Sequence, residues 1–123
     1  MKVLALDYGS ARTGVAVSDP TGTIARPVGV VEGVGSDPHL TELHQLISRE
    51  APDRIVVGFP LTLRGERGEQ ALETERFAAR LRAVVDCPVV LFDERFTSVL
   101  AGGDDAQAAA HLLASYLEWS RGR

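Results

Sequence analysis

The chain predicts an α/β fold built on a five-stranded mixed sheet flanked by helices, and two observations carry that prediction. Short runs rich in Val, Ile and Leu are punctuated by turn residues, and stretches with helical spacing occur only after the third run. The order is therefore three strands, then helix, strand, helix, strand, helix. The first three strands can form a meander. Helical crossovers before strands four and five imply parallel pairing.

Each element has its own justification. Strand one covers about Lys2 to Leu6 and strand two about Gly14 to Ser18, around a tight turn bracketed by Gly9 and Gly14. Strand three is expected at Val28 to Glu32. Asp37-Pro38 reads as a helix start, with Asp as N-cap and Pro in the first turn. Leu40, Leu43 and Ile47 follow at helical spacing, and Pro52 lies just past the end. Strand four is Arg54 to Phe59, whose Ile55-Val56-Val57 centre suggests burial on both faces. A long helix from about Glu69 to Val85 sets Thr74, Phe77, Leu81, Val84 and Val85 on one stripe, opposite Glu73, Arg76 and Arg80. Strand five, Pro88 to Phe92, runs into Asp93-Glu94-Arg95. The last helix begins near Asp104 and carries Leu112, Leu113, Tyr116 and Trp119. The loosest segments are Gly33 to Ser36, Leu63 to Gly68 and Val99 to Gly103.

At 123 residues the expectation is one domain, residues 1–123, with a composition (45% hydrophobic, 24% charged) that points away from disorder. No apolar stretch approaches the ~18 residues a membrane helix requires, and no basic signal-like region precedes the first strand. A lone cysteine, Cys87, suits a reducing cytoplasm and reads as a small buried residue. The net charge of −4 argues against a protein that coats nucleic acid non-specifically, though not against an enzyme with carboxylates gathered at a metal site. Of the thirteen basic residues only Lys2 is Lys, a bias compatible with phosphate contacts.

The acids are the chemically informative residues. In a parallel α/β sheet, ligands gather beyond the carboxyl ends of the strands. Asp7 ends strand one and Asp93-Glu94 ends strand five, so two carboxylates can share that edge. Adjacent strand residues point to opposite faces, so only one of Asp93 and Glu94 can aim where Asp7 does. Spacing alone leaves the choice open. On the last helix, Asp105 falls on the stripe of Leu112, Tyr116 and Trp119, while Asp104 lies off it and suits an N-cap. Asp7, Glu94 or Asp93, and Asp105 would form an oxygen-only site suited to Mg²⁺ or Mn²⁺. Arg12, in the turn beside Asp7, could meet an anionic substrate. His39, His44 and His111 offer no rival cluster.

Assembled, these residues resemble the YqgF family, also called RuvX, of ribonuclease H-like nucleases. The resemblance runs through Leu6-Asp7-Tyr8-Gly9-Ser10, Gly14-Val15-Ala16-Val17-Ser18-Asp19 and Ile55-Val56-Val57-Gly58-Phe59-Pro60-Leu61. It continues through Gly65, Gln70-Ala71, Val89-Val90-Leu91-Phe92-Asp93-Glu94-Arg95-Phe96-Thr97, and Asp105 with Ala108-Ala109, Leu112-Leu113 and Ser115-Tyr116-Leu117. Members are described as candidate Holliday-junction resolvases or pre-16S ribosomal RNA nucleases. The resemblance implies a ribonuclease H-like fold and a cytoplasmic, metal-dependent phosphodiester hydrolase. Asp7, Glu94 and Asp105 would hold one or two divalent cations, Glu94 being preferred to Asp93 on the resemblance alone. Gly9, Arg12 and Arg95 become candidate substrate contacts. The partner would be nucleic acid, either precursor ribosomal RNA or branched DNA, and the chain a monomer or homodimer.

Two departures bear on substrate choice. Members usually carry a longer basic segment before the last helix, where this chain has only Ser98 to Asp104, and Thr62 replaces an expected Asn. A catalytically weak nucleic-acid-binding ribosome-assembly factor is therefore a rival reading. A sugar-kinase or actin-like nucleotide-binding domain also starts from an Asp-x-Gly strand, but needs two lobes around its nucleotide.

Overall fold

The computed structural model describes residues 1–34, 37–96 and 104–122. Its strands are β1 (Val3–Asp7), β2 (Arg12–Ser18), β3 (Ala25–Glu32), β4 (Arg54–Phe59) and β5 (Val89–Asp93). The helices are α1 (Asp37–Glu50), α2 (Glu69–Arg82) and α3 (Asp105–Arg121), with one 3₁₀ turn, Glu94–Phe96, directly after β5. Across the sheet the order is β3-β2-β1-β4-β5. The β1–β2 and β2–β3 pairs are antiparallel, whereas β1–β4 and β4–β5 are parallel. The expected meander plus parallel extension is thus the observed mixed sheet.

Alternation along the central strands divides the interior into two cores. Leu4 and Leu6 of β1, Val15 and Val17 of β2, and Ile55 and Val57 of β4 face Leu43 and Ile47 of α1 and Phe77 and Leu81 of α2. Val3, Ala5, Ala16, Val56 and Phe92 point the other way, onto Ala109, Leu112, Leu113, Tyr116 and Leu117 of α3. Small residues at positions 5 and 16 let α3 lie close against β1 and β2. Both faces of the central strands are therefore dry, which accounts for their unbroken apolar runs.

Several boundaries depart from the periodicity. α2 stops at Arg82, and the amide of Ala83 turns back onto the carbonyls of Arg80 and Leu81. Val84 is consequently 42% exposed and does not extend the helical stripe. The Cys87-Pro88 step that follows disfavours helix just ahead of it. β3 begins at Ala25, earlier than expected, because Pro27 hid the pattern; Pro is tolerated on this edge strand, which carries a register shift opposite Val15 and Ala16. Trp119, expected among the buried residues, is 39% exposed, although its ring leans on Phe92 and Tyr116. Residues 35–36 and 97–103 lie outside the described residues, and with them part of the Gly33 to Ser36 segment, all of Val99 to Gly103 and most of the shortened stretch before α3, as does the side chain of Asp37. Among the described residues no helix is long and apolar enough to cross a membrane.

Asp104 caps α3 as its position predicted: its extended backbone lets Oδ1 accept the amide of Gln107 at 2.8 Å. Asp104→Ala should therefore lower stability by about 0.5–2 kcal/mol, read from chemical denaturation. A loss well outside that range would assign Asp104 a further role.

Candidate active site

Asp7 closes β1 and Glu94 follows β5 directly, so β4 lies between the two acids. Asp7 has the parity of Val3 and Ala5, and Glu94 that of Val90 and Phe92, so both belong to the face covered by α3. The two carboxyl groups lie within hydrogen-bonding reach of each other, and each alters the titration of the other.

Gly58 makes this meeting possible. A Cβ at that position would stand 2.5 Å from Glu94 Oε1 and 3.1 Å from both Glu94 Cγ and Leu112 Cδ2. Any side chain there would push Glu94 off β4 and away from Asp7. Spacing along the sequence gives Gly58 no role, although a glycine inside a β-branched buried strand is the usual signal of close approach.

Asp93 turns the other way. Its carboxylate accepts from the Arg95 amide at 2.9 Å and from Arg95 Nη2 at 2.6 Å, with Nε also in range. The Arg95 side chain in return holds the Asp93 carboxyl below its ordinary value. Arg95 also underlies Gly65, which adopts φ +80 in the turn after β4; a Cβ there would lie 3.1 Å from Arg95 Nη1. Glu94, then, is the member of the pair that faces Asp7, and Arg95 already has a carboxylate partner.

Asp105 reaches the same edge from above. Gly14 pairs with Asp7 in the sheet, and a Cβ at Gly14 would overlap the carbonyl oxygen of Asp105 and stand 3.3 Å from the Ala106 nitrogen. The first turn of α3 thus rests directly on the backbone of β2 beside Asp7. The Asp105 carboxylate itself leans toward Arg12, with Oδ2 3.1 Å from Arg12 Nε. Gly9 sits where a Cβ would come within 2.5 Å of the Arg12 carbonyl oxygen, so the β1–β2 turn closes only with glycine there.

These placements perturb the acids strongly. Burial from water, then the charge and hydrogen bond of Asp7, push Glu94 up to about 7. Asp7 is raised too, chiefly by burial, with a contribution from the charge of Asp105. Raised values mean the folded chain holds protons that the unfolded chain releases. Its stability should fall as pH rises from about 4.5, the ordinary value for Glu94, through about 7. Glu94→Gln should flatten that decline in denaturation curves recorded with EDTA, and an unchanged slope would remove Glu94 from the pair.

Whether these residues suit a divalent cation follows from the donor set. Among the described residues no three His, Cys, Asp or Glu side chains are already grouped to hold a metal ion. Asp7 and Glu94 nonetheless supply adjacent oxygen donors, the charge of Asp7 helping to hold Glu94 up, and a hard cation would relieve that repulsion. Asp105 stands at the same edge with its carboxylate turned aside. An oxygen-only donor set of this kind suits a hard divalent cation, with the Asp105 carboxylate turned toward Arg12 in this structure.

Comparison with known proteins agrees with this architecture. The model of the RuvX family, described as "Holliday junction resolvase", matches residues 1–119. A protein of Chloroflexus aurantiacus named "Putative pre-16S rRNA nuclease" is 44% identical over 99 residues, which cover 80% of this chain and 65% of that protein. The matched region therefore spans just under two thirds of that relative's length. A protein of the same name from Maridesulfovibrio salexigens is 36% identical over 95% of this chain and 98% of its own. In three dimensions the chain is similar to T. thermophilus RuvC, solved in complex with a Holliday junction substrate, at a TM-score of 0.60 and 15% identity over 99% of this chain and 96% of that one. The strand order, the acids at the carboxyl edge and a family match over nearly the whole sequence lead to one conclusion: this chain belongs to the RuvX family and has the ribonuclease H-like fold of RuvC.

Proposed function

We propose that residues 1–123 act as a cytoplasmic, divalent-metal-dependent nuclease that hydrolyses phosphodiester bonds in precursor 16S ribosomal RNA. The observation that carries this reading is the Asp7–Glu94 pair, held in contact over Gly58 with Asp105 beside it. Asp7, Glu94 and Asp105 would hold Mg²⁺ or Mn²⁺. When bound, the cation supplies an activated water and neutralises charge on the phosphate under attack.

The chain's own groups set the conditions for that chemistry. Glu94, with its value near 7, must give up its proton before it can serve as a ligand, so cation binding near neutrality releases protons. Gly9 keeps the β1–β2 turn narrow, which leaves room for a sugar-phosphate chain to approach Asp7. Of the two arginines, Arg12 is the better phosphate contact: its side chain is 63% exposed and its ion pair with Asp105 is at the surface. Arg95 is 36% exposed and clamped by Asp93, so its first duty is to hold the turn after β5. The relatives' names favour RNA as the substrate over branched DNA.

The test is a cleavage assay on a precursor 16S RNA fragment, a single-stranded DNA and a four-way DNA junction, each with Mg²⁺, Mn²⁺ or EDTA. Metal-dependent cutting of the RNA with the junction left intact is expected. Paired cuts in the junction would make the chain a resolvase, and cutting that persists in EDTA would overturn the metal-dependent reading.

A further inference from the structure

Asp105 poses a problem that its backbone does not. Gly14 brings the carbonyl of Asp105 into direct contact with β2, beside Asp7, so the start of α3 cannot move nearer to the acids or be displaced sideways without losing that packing. What remains to Asp105 is rotation of its side chain. One orientation is the observed one, toward Arg12 Nε at 3.1 Å, with the two side chains 41% and 63% exposed. The other is toward Asp7, whose carboxyl already feels the charge of Asp105. Arg12 opens β2 and Asp105 opens α3, so neither the turn nor the helix has to rearrange for the exchange.

We propose that Arg12 is a positioning residue that holds the Asp105 carboxylate off the Asp7–Glu94 pair until a phosphate group of the substrate takes its place. The inference rests on the nuclease reading and deepens it. A guanidinium binds carboxylate and phosphate through the same planar fork, and two hydrogen bonds to a phosphate outbid the surface contact seen here. Release turns Asp105 toward Asp7 and Glu94 and completes the oxygen donor set. Arg12 thereby links two events at one edge: the phosphodiester it attracts is the signal that assembles the cation site. Because such linkage is reciprocal, cation and single-stranded nucleic acid strengthen each other's binding. The arrangement also limits the time a fully loaded site spends without substrate.

The test uses the intact chain without nucleic acid, and reads the Arg12 ¹⁵Nε–¹Hε resonance while Mg²⁺ is titrated. The resonance should move toward that of an unpaired guanidinium as Mg²⁺ saturates, because the cation and Arg12 compete for Asp105. In parallel calorimetry, Arg12→Gln should bind Mg²⁺ about 2- to 5-fold more tightly than the wild type, the scale of one exposed ion pair. A non-cleavable phosphorothioate single strand should tighten Mg²⁺ binding in the wild type, and do so much less in Arg12→Gln. Mg²⁺ binding that leaves the Arg12 resonance in place, or Arg12→Gln binding no more tightly than wild type, would overturn the inference while sparing the nuclease reading. Absence of Mg²⁺ binding to both proteins would overturn the two together.

Discussion

Asp7→Asn should abolish cleavage while the protein remains folded. Asparagine keeps the shape of the side chain at the end of β1 but removes the charge that would attract a cation. Loss of an outer-shell partner of a metal site costs roughly 10–100-fold, so loss of a direct ligand should exceed that range. The metal-free variant should be at least as stable as wild type, because the charge of Asp7 is among the causes that raise Glu94 to about 7. Relief of that charge should bring Glu94 down, which a carboxyl-carbon NMR titration would read directly. Asp93→Asn is the matched control: it disturbs the Arg95 clamp and leaves the Asp7–Glu94 contact in place. Full activity in well-folded Asp7→Asn would sink the assignment.

Gly14→Ala should be the most damaging single-methyl change in the sheet. The added carbon would overlap the carbonyl of Asp105, and a backbone atom has no rotamer by which to give way. Overpacking of this kind costs about 1–3 kcal/mol in a tight interior. Here the strain falls on the seating of α3, which carries half of the second core. Lower stability and lost cleavage should appear together, since Asp105 is lifted from beside Asp7. Gly29→Ala offers the contrast, because on β3 the same methyl meets nothing within 4 Å. Equal denaturation midpoints for the two variants would mean that α3 is not seated on β2 as described.

Much of this was written in the sequence in local terms. The central strands announced themselves because both of their faces are buried, and the boundaries of β4 matched at both ends. The Asp104 cap was legible because capping depends only on a residue and the amide three positions on. Less legible was anything that joins distant segments. The choice between Asp93 and Glu94 depended on which face α3 covers, a tertiary fact; once Phe92 is known to point at α3, Glu94 follows by parity. The roles of Gly14 and Gly58 depended on what crosses above them, which no spacing along one strand encodes. The lean of Asp105 toward Arg12 was hidden for the same reason, since helical periodicity gives the direction of a Cβ and not the partner its carboxylate selects. Helical periodicity overruns the end of α2 because Val84 and Val85 continue the apolar count after the backbone has already turned.

The crossing of Glu94 over Gly58 has a consequence for how this chain comes into being. The residues that make the edge lie at positions 7, 14, 58, 94 and 105, and no two of the three acids share an element. A ribosome extruding the chain exposes Asp7 first and the start of α3 last, so the nascent protein carries its acids long before it has a place to assemble them. Long-range closure of this sort is paid for in folding time, because the ends of long loops must meet before any contact rewards them. On the nuclease reading proposed above, a partly made or partly melted chain would not cut the nucleic acid around it. Heat inactivation should track loss of the α3 packing, and no fragment that lacks this helix can keep the edge.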